Sequence, residues 1–308
     1  MSKPSIVVVG SSNTDMIIQL ARIPRPGETL LGGAFTSAAG GKGANQAVGA
    51  ARAGGNVTLV ARVGKDVLGA EAVAGFRKDG INVDFVSTDK TAPSGVALIF
   101  VGKDGQNSIA VAGGANARLS PADVKKAAKA IRGAAVLVAQ LESPLDTIAA
   151  AAAIAAKAGV PFILNPAPAR ALPDDLLKLT SILTPNETEA ELLTGVKVKD
   201  DATAAKAAAK LLARGVGTVI LTLGARGAFV ANATAAQVVP GFKVKAVDTT
   251  AAGDTFTGAL AVALAEGKTL PAAIRFANAA AAISVTRLGA QPSAPTRREI
   301  EKFLKANP

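Results

Sequence analysis

Short runs of aliphatic and β-branched residues alternate with longer alanine-rich stretches from about residue 120 onward. The short runs lie at 135–140, 160–165, 181–184 and 218–223, and a typical longer stretch spans 202–214. Unbroken apolar strands between helices are typical of a parallel sheet that is covered by helices on both faces. The pattern therefore predicts an α/β protein with a layered α/β/α core and a mainly parallel sheet.

Two other segments carry strand-like pieces that are separated by glycine and proline turns, with no helical pattern. They span 15–39 and 94–112, and their most strand-like parts are Met16–Leu20 and Val96–Val101. Such segments usually form a small antiparallel sheet beside the main one. We expect them to form a small β-sheet lid, while 1–14, 40–93 and 113–308 form the core that binds nucleotide and sugar.

The lid is expected to pair with a second copy of the chain, because a small separate sheet cannot bury its own apolar side chains. The apolar residues concerned are Ile17, Ile18, Leu30, Leu31 and Phe35. The sequence therefore predicts a homodimer that forms through the lid.

With 49% hydrophobic and 19% charged residues, the composition excludes a disordered chain. No apolar run reaches the roughly 18 residues that span a bilayer, and the first residues show no secretory signal. We therefore expect a cytoplasmic protein that has no membrane partner.

Cysteine, histidine, tryptophan and tyrosine are all absent from the 308 residues. Their absence excludes disulfides, thiolate nucleophiles, Cys/His zinc sites and histidine bases, so acid–base chemistry must use carboxylates or lysines. The net charge of +11 is spread over scattered lysines and arginines, and the only aromatic residue type is Phe. The charge is first explained as a solvated surface that keeps the protein soluble. Among functional explanations, the pattern disfavours nucleic-acid binding and favours attraction of an anionic substrate such as ATP.

The segment Asp248–Gly258 carries the most chemistry. The run after Gly253 predicts a helix that starts there, so that free N–H groups of Ala251, Ala252 and Gly253 would face an anion at the positive helix end. Asp254 in the first turn is either an ordinary favourable N-terminal carboxylate or a base. As a base it would accept the proton of a hydroxyl that attacks a γ-phosphoryl group held by those amides.

The segment Ala39–Ala47 superficially resembles a P-loop, but Gly43 follows Lys42 where a P-loop requires Ser or Thr, so we exclude that motif. The segment is either a bare strand-to-helix turn or a glycine hinge beside a small polar ligand, where Asn45 would bind hydroxyl groups.

Asn13 and Asp15 follow the first strand, where α/β sheets place their ligands, and their side chains suit neighbouring sugar hydroxyls. The same two residue types are also common turn formers.

Asn186 and Glu189 follow the strand at 181–184 and predict a helix cap with an acid in its first turn. Glu189 could also hold Mg²⁺ through water near phosphates. The glycine turn Thr222–Gly227 is either a hairpin or a loop at the edge of a nucleotide.

In their order and residue sequence, these motifs resemble those of the ribokinase/phosphofructokinase-B family of sugar kinases over essentially the whole chain. The resemblance is carried by the segments 40–46, 140–144, 165–168, 184–189, 222–224 and 248–256. It implies a ribokinase-like core and transfer of a phosphoryl group from ATP to the 5-hydroxyl of D-ribose, which yields ribose 5-phosphate, a step of ribose catabolism. Two alternatives remain: another sugar or nucleoside kinase of the family, and a catalytically silent protein that binds sugar or nucleotide.

The resemblance also implies roles for individual residues, with Asp254 as the catalytic base beside the amides of Ala251, Ala252 and Gly253. The residues implied to contact the sugar are Asn13, Asp15, Gly41, Lys42, Asn45, Glu142 and Asp254. Those implied to bind ATP, with Asn186 and Glu189 in the magnesium motif, are Asn186, Glu189, Thr222, Gly224, Gly227, Gly253 and Asn278.

A potassium site is implied to use mostly backbone carbonyls of Asp248, Thr250, Ser284, Arg287, Gly289 and Ser293. Asn278 stands where the family often has a histidine near the adenine.

Overall fold

The computed structural model describes residues 5–104 and 106–308, so the expected core positions 1–4 and the expected lid position 105 lie outside the described residues. The described strands are β1 (Ser5–Val9), β2 (Asn13–Leu20), β3 (Ala34–Gly40), β4 (Asn56–Gly64), β5 (Asn82–Asp89), β6 (Gly95–Gly102), β7 (Asn107–Ala112), β8 (Val136–Ala139), β9 (Phe162–Leu164), β10 (Ile182–Leu183), β11 (Thr218–Thr222), β12 (Gly227–Asn232) and β13 (Ala236–Pro240). The described α-helices are α1 (Lys42–Arg52), α2 (Val67–Lys78), α3 (Pro121–Lys126), α4 (Ala128–Arg132), α5 (Leu145–Lys157), α6 (Asp174–Lys178), α7 (Glu187–Thr194), α8 (Asp201–Ala213), α9 (Ala252–Ala265), α10 (Leu270–Ser284) and α11 (Arg297–Ala306).

Nine strands form one large sheet in the order β13-β12-β11-β10-β9-β8-β1-β4-β5. Every neighbouring pair from β11 to β5 is parallel, and the antiparallel pairs β11–β12 and β12–β13 lie at one edge. The predicted apolar runs correspond to β8, β9, β10 and β11. The mainly parallel α/β sheet expected from the sequence is therefore confirmed.

Alternate side chains of β1 enter two separate hydrophobic layers, as the two-residue period of a strand requires. Val7 and Val9 join a cluster that packs on α3–α8. Ile6 and Val8 join a second cluster that packs on α1, α2 and α9–α11. Because all four side chains are fully buried, both faces of the sheet are covered, which is the layered α/β/α arrangement.

A smaller separate sheet has the order β3-β2-β6-β7. The strand pairs β2–β3 and β6–β7 are antiparallel, as expected, but β2 and β6 run parallel, from the Asn13–Gly95 pair to the Leu20–Gly102 pair. The expectation of a purely antiparallel sheet was therefore wrong. β2 and β6 each follow a strand of the large parallel sheet, β1 and β5, and they leave that sheet in the same direction.

Within residues 5–104 and 106–308, no helix is long and apolar enough to cross a membrane.

Candidate active site

The turn before α1 requires glycine at several positions because backbone segments meet there. Gly41 has φ of 87°, and a Cβ on it would lie 2.6 Å from the backbone nitrogen of Asn13. A Cβ on Gly43 would overlap the backbone of residues 10 and 11, and one on Gly40 would overlap the carboxylate of Asp15. The glycines thus bring the start of α1 into direct contact with the segment that links β1 to β2.

Glu142, which follows β8, binds to this same turn. Its Oε2 accepts hydrogen bonds from the Ser11 hydroxyl at 2.6 Å and from the backbone N–H of Lys42 at 2.9 Å. A carboxylate at a helix N-terminus is favoured because unpaired N–H groups and the helix dipole face it. The structure thus brings together Gly41, Lys42 and Glu142, which are three of the predicted sugar ligands.

Asn13 and Asp15 lie on β2 beside that turn. The Oδ1 atom of Asn13 accepts from the Nδ2 atom of Asn116 at 2.7 Å, so the amide group of Asn13 remains the part that can donate to a ligand. Asn116 also donates to the Ser12 carbonyl at 3.0 Å and accepts from the Ser12 N–H at 2.9 Å. Sequence reasoning missed Asn116, because nothing in its glycine-rich surroundings distinguishes it from a turn residue.

The carboxyl group of Asp254 is buried in the first turn of α9, with a residue exposure of 5%. Its Oδ2 accepts from Asn45 Nδ2 at 3.1 Å, and its Oδ1 accepts from Gln46 Nε2 at 2.9 Å. Burial raises the pKa of Asp254, while the charge of Lys42 and the two amide donors lower it, and the net direction is upward. The group is therefore an ionisable carboxyl held by donors in a dry site.

The positive charge beside these acidic side chains comes from Lys42. Burial acts to lower its pKa, but the carboxylates of Asp254, Glu142, Glu189 and Asp15 act together in the opposite direction, and the net pKa is raised. Lys42 is therefore charged near neutral pH and sits among four acidic side chains.

The turn that leads into α9 is left-handed at Ala251, which has φ of 56° and ψ of 17°. Ala251 is the one non-glycine residue of the described chain with positive φ, a conformation that costs energy and is found at functional sites.

This geometry changes one sequence expectation. The N–H group of Ala252 donates to the Thr249 carbonyl at 3.2 Å, so it is not free for an anion. Among the described residues, the N–H groups of Ala251 and Gly253 have no acceptor. The helix begins at Ala252, one residue earlier than expected, because the left-handed turn closes that hydrogen bond.

Two adjoining cavities meet at this turn. The smaller has a volume of about 150 Å³ and is lined by Lys42, Asn165, Ala167, Thr184, Asn186, Glu189, Thr222, Thr249, Ala251, Ala252, Gly253 and Asp254. The larger has a volume of about 510 Å³, and its lining includes Asn186, Thr222, Gly224, Gly227, Phe242, Gly253 and Asn278. The predicted base therefore borders the small polar cavity, and the predicted ATP ligands line the large one, except for Glu189, which lines the small one.

Asn186 and Glu189 form a reciprocal cap at the start of α7. The Asn186 side chain accepts from the N–H of Glu189 at 2.8 Å, and Glu189 Oε2 accepts from the N–H of Asn186 at 2.8 Å. The expected helix cap is therefore present. Glu189 also borders the small cavity, and burial raises its pKa, against the opposing effects of the Asn186 N–H and Lys42.

The turn 222–227 is a hairpin between β11 and β12, and its glycines also line the large cavity. The structure is therefore compatible with both interpretations of that turn, a hairpin and a loop at the edge of a nucleotide. Asn278 on α10 donates to the carbonyls of Val239 and Pro240 at 3.2 and 3.1 Å. Its Nδ2 group is thus engaged with β13, and its Oδ1 atom remains available to a ligand.

The six residues of the expected potassium site lie in two segments that Asp248 joins. Asp248 Oδ1 accepts from the N–H of Thr250 at 2.9 Å, and Oδ2 accepts from the N–H of Gly289 at 2.8 Å. Burial acts to raise the pKa of Asp248, but the hydrogen bond from the Thr250 hydroxyl at 2.6 Å and these two backbone hydrogen bonds outweigh it, and the net pKa is lowered. The Arg287 guanidinium pairs with Glu299, so only the backbone carbonyl of Arg287 could serve a cation.

The hydroxyl groups of the other two residues bond to nearby carbonyls, that of Ser284 to Ala281 at 2.8 Å and that of Ser293 to Ala290 at 2.7 Å. Within the described chain there is no cluster of three or more acidic, histidine or cysteine side chains that could hold a metal. A cation bound here would therefore depend on one carboxylate and on backbone carbonyls.

A buried carboxyl group at a helix start, free amides beside it and two cavities that meet there define a phosphoryl-transfer site. The chain belongs to the pfkB family of carbohydrate kinases, since the model of that family, described as pfkB family carbohydrate kinase, matches residues 3–297.

Similar proteins within the family include ribokinases and a deoxyribokinase. A ribokinase of Haemophilus influenzae is 47% identical over 303 residues, which cover 98% of this chain and 99% of the relative. A deoxyribokinase of Salmonella typhi is 38% identical, with 98% and 99% coverage. The solved structure of an Arabidopsis thaliana ribokinase complexed with ribose and ATP is 36% identical, covers 99% of both chains and gives a TM-score of 0.91.

Proposed function

We propose that this protein transfers the γ-phosphoryl group of ATP to the 5-hydroxyl of D-ribose and so acts as a ribokinase. The observation that carries the proposal is the position of Asp254, which is buried at the start of α9 on the border of the small cavity, one residue after the unpaired amide of Gly253 and three after that of Ala251. Full-length similarity to ribokinases, one of which was solved with ribose and ATP, supports the choice of substrates.

The sugar is proposed to bind between the start of α1 and the start of β2. Lys42 and Asn45 would contact it from the start of α1 and Glu142 from the segment after β8, while Asn13 and Asp15 would contact it from the smaller sheet. These side chains offer amide donors, an ammonium group and carboxylate acceptors, which together suit a compound with several neighbouring hydroxyl groups.

In the proposed reaction, the sugar oxygen O5 attacks the γ-phosphorus of ATP. The O5–P bond forms, the bond from phosphorus to the β,γ-bridging oxygen breaks, and ADP leaves. The hydroxyl proton passes to the carboxylate of Asp254. The amides of Ala251 and Gly253 and the charge of Lys42 stabilise the negative charge on the transferred group, which is the main contribution a protein makes to phosphoryl transfer.

Adenine and its ribose are proposed to occupy the larger cavity, beside Thr222, Gly224, Gly227 and Asn278. Mg²⁺ carries the phosphates of ATP in kinases and uses few protein carboxylates because it keeps most of its water. Glu189 fits that role, since its buried carboxyl group borders the small cavity where the phosphates would enter. With Asn186 it would hold the hydrated ion and neutralise charge.

A monovalent cation is proposed to bind between the two segments that Asp248 joins, with K⁺ as the expected ion. One carboxylate with several carbonyls is a suitable donor set for such a hard ion. A bound cation there would supply fixed positive charge next to the turn at Ala251. The expected cytoplasmic location stays a prediction, and it accords with the need for ATP.

The test is an assay of ADP release with D-ribose, 2-deoxy-D-ribose, D-fructose and adenosine, compared at equal concentrations. We expect D-ribose to give the highest kcat/KM. A higher value for another substrate would make the protein a different kinase of the family. The similarity to a deoxyribokinase is the reason for including 2-deoxy-D-ribose.

Asp254→Asn separates a kinase from a silent binding protein. It keeps the size of the side chain but cannot accept a proton, so turnover should fall by about 10²–10⁴-fold, while ribose and ATP still bind. A wild-type protein that binds both substrates without releasing ADP would contradict the proposed function. Turnover of the variant within about threefold of wild type would contradict the assignment of the base.

A further inference from the structure

A chain of buried amide side chains lies behind Asp254, and of its members Gln46, Gln140 and Asn165 only Asn165 borders a cavity. Gln46 on α1 donates from Nε2 to Asp254 Oδ1 at 2.9 Å and to Asn165 Oδ1 at 3.1 Å. Gln140 donates from its Nε2 to Gln46 Oε1 at 2.7 Å, and Asn165 donates to the Thr184 carbonyl at 3.0 Å. Both N–H bonds and the carbonyl oxygen of the Gln46 amide therefore have hydrogen-bond partners.

The carboxylate fixes the direction of this chain. An ionised carboxylate only accepts hydrogen bonds, so Gln46 must turn its NH₂ group toward Asp254. Its carbonyl oxygen then needs a donor on the opposite side, and Gln140 supplies one. Because every partner agrees with that direction, the Gln46 amide has one orientation in which it is satisfied.

Gln46 cannot contact a substrate, because its residue exposure is 0%, and it is absent from the lining of both cavities. Its neighbour Asn45 is also absent from both linings, but its residue exposure is 8%. Asn45 also donates to Asp254, but its buried Oδ1 has no partner among the described residues and is available to a sugar hydroxyl. Asn45 can therefore bind both the sugar and Asp254, whereas Gln46 binds Asp254 and no ligand.

We propose that Gln46 is a positioning residue for the reaction: it holds the Asp254 carboxylate in one orientation and keeps it deprotonated, with Gln140 and Asn165 fixing its amide. The proposal rests on the proposed role of Asp254 as the base. It adds a residue that never touches the substrates and acts on the reaction through a buried hydrogen bond.

The charges near Asp254 come from four other elements and partly oppose one another. Lys42 on α1 favours the ionised form, and Glu142 after β8 disfavours it. Asp15 on β2 and Glu189 on α7 also lie close enough to interact electrostatically with Asp254. Among the described residues, Gln46 is the sole hydrogen-bond donor to Asp254 Oδ1. Without Gln46, this buried oxygen would have lost its hydrogen bonds to water with no protein donor to replace them, which disfavours the ionised carboxylate.

The experiment measures kcat as a function of pH for the wild type, Gln46→Met and Gln46→Glu, with saturating ribose and MgATP. Gln46→Met keeps the length of the side chain and removes its donors. We expect kcat near neutral pH to fall about 10- to 100-fold, as for loss of one hydrogen bond to a charged group. The acid limb of the profile should move about one to two pH units upward, and kcat should recover as pH rises.

Gln46→Glu keeps the shape and places a second carboxyl group against Asp254. The two groups would share one proton, because like charges this close do not both ionise readily. The acid limb should therefore move further upward than in Gln46→Met. For both variants the KM values for ribose and ATP should stay within about threefold of wild type, since Gln46 does not reach the cavities.

Two results would overturn the proposal: a folded Gln46→Met protein with the wild-type acid limb, or a loss of kcat that is equal at every pH in both variants. If Gln46→Met does not fold, the profile of Gln46→Glu decides alone, and an unmoved limb in that variant overturns the proposal. Asp254→Asn is measured in parallel. If it loses turnover while the Gln46 profiles match the wild type, only this inference fails; if it keeps turnover, the base assignment fails as well.

Discussion

Asp15 lies half-buried against the backbone of Gly40. Burial, together with the nearby charges of Glu142 and Asp254, raises its pKa from 3.8 to about 6, against the attraction of Lys42. A carboxyl group whose pKa is higher in the folded state binds its proton more tightly there. Its contribution to stability is therefore full below about pH 4 and is lost as pH rises through about 6.

Asp15→Asn should therefore raise the unfolding temperature by a few degrees above pH 6, because the variant has no charge to bury. The gain should shrink as the pH falls from 6 toward 4, where wild-type Asp15 is protonated. Thermal unfolding at five or six pH values, without ligands, measures this difference. A gain that is the same at every pH would show that the charge of Asp15 does not matter, and weaker ribose binding by the variant is expected in any case.

Glu189 has two roles that one substitution can separate. Glu189→Gln retains an oxygen that can accept from the N–H of Asn186, so the cap of α7 should survive. Loss of the charge should lower turnover and raise the magnesium concentration needed for half-maximal rate, since the carboxylate is proposed to orient the hydrated ion.

Magnesium titrations at fixed ATP measure this effect, and Glu191→Gln, on the exposed side of the same helix, is the matched control. If Glu189→Gln and Glu191→Gln give the same titration as wild type, Glu189 is a capping residue only.

The turn that leads into α9 is the element that a monovalent cation would influence. Asp248 holds this turn to the segment around Gly289 through hydrogen bonds at 2.9 and 2.8 Å. A cation of suitable size between the two segments would fix the left-handed turn at Ala251 and strengthen its field on the transferred phosphoryl group. We therefore expect higher turnover in potassium than in sodium.

Initial rates in potassium, sodium and tetramethylammonium chloride, at constant ionic strength and magnesium, test this expectation. Equal rates in all three salts would exclude a cation site that acts on the reaction. Asp248→Asn should reduce the difference between the salts more than it reduces the rate in sodium.

Sequence patterns predicted the elements of the large sheet well because the information there is local. β8, β9 and β11 are unbroken apolar runs, and such runs are typical of strands buried on both faces. The parallel pairing of β2 with β6 was not predictable in this way. It joins segments about eighty residues apart, and partner choice between distant strands depends on the direction in which the large sheet sends them.

The same distinction applies to the site. Lys42, Asn45 and Asp254 could be expected to share a site because each lies in a glycine-containing motif at a helix start, and the structure brings them together. Gln46 was overlooked because a buried amide has no local signature, and its partners are 94 to 208 residues away. The hydrogen bond of Ala252 was also missed, since alanine normally avoids the left-handed conformation that Ala251 adopts.

The smaller sheet leaves a large apolar area in contact with water. Its exposed side chains include Phe35, Leu98, Ile109 and Val111, the connection between β2 and β3 adds the exposed Leu31, and the whole of β7 is exposed. Exposed apolar patches of this kind mark interaction surfaces, and a second copy of the same sheet is a suitable partner. We therefore expect a homodimer that forms through the smaller sheet.

Sedimentation velocity over a series of micromolar concentrations tests this expectation, with Phe35→Lys as a variant that should shift the protein toward monomer. A single monomeric species for the wild type across the series would contradict it. Leu192→Lys, a substitution of an exposed leucine on α7, is a control that should leave the assembly unchanged.

The contact between α1 and α9 has a mechanical consequence. A Cβ on Gly258 would lie 2.6 Å from the carbonyl oxygen of Gln46 and 2.7 Å from the nitrogen of Ala50, so the two backbones touch without side chains between them. Helices packed this closely move as one rigid body. Asn45, the proposed sugar ligand, and Asp254, the proposed base, therefore lie on the same rigid unit. A displacement of the smaller sheet would change how easily a sugar enters or a product leaves, while the alignment of the reacting groups would stay constant.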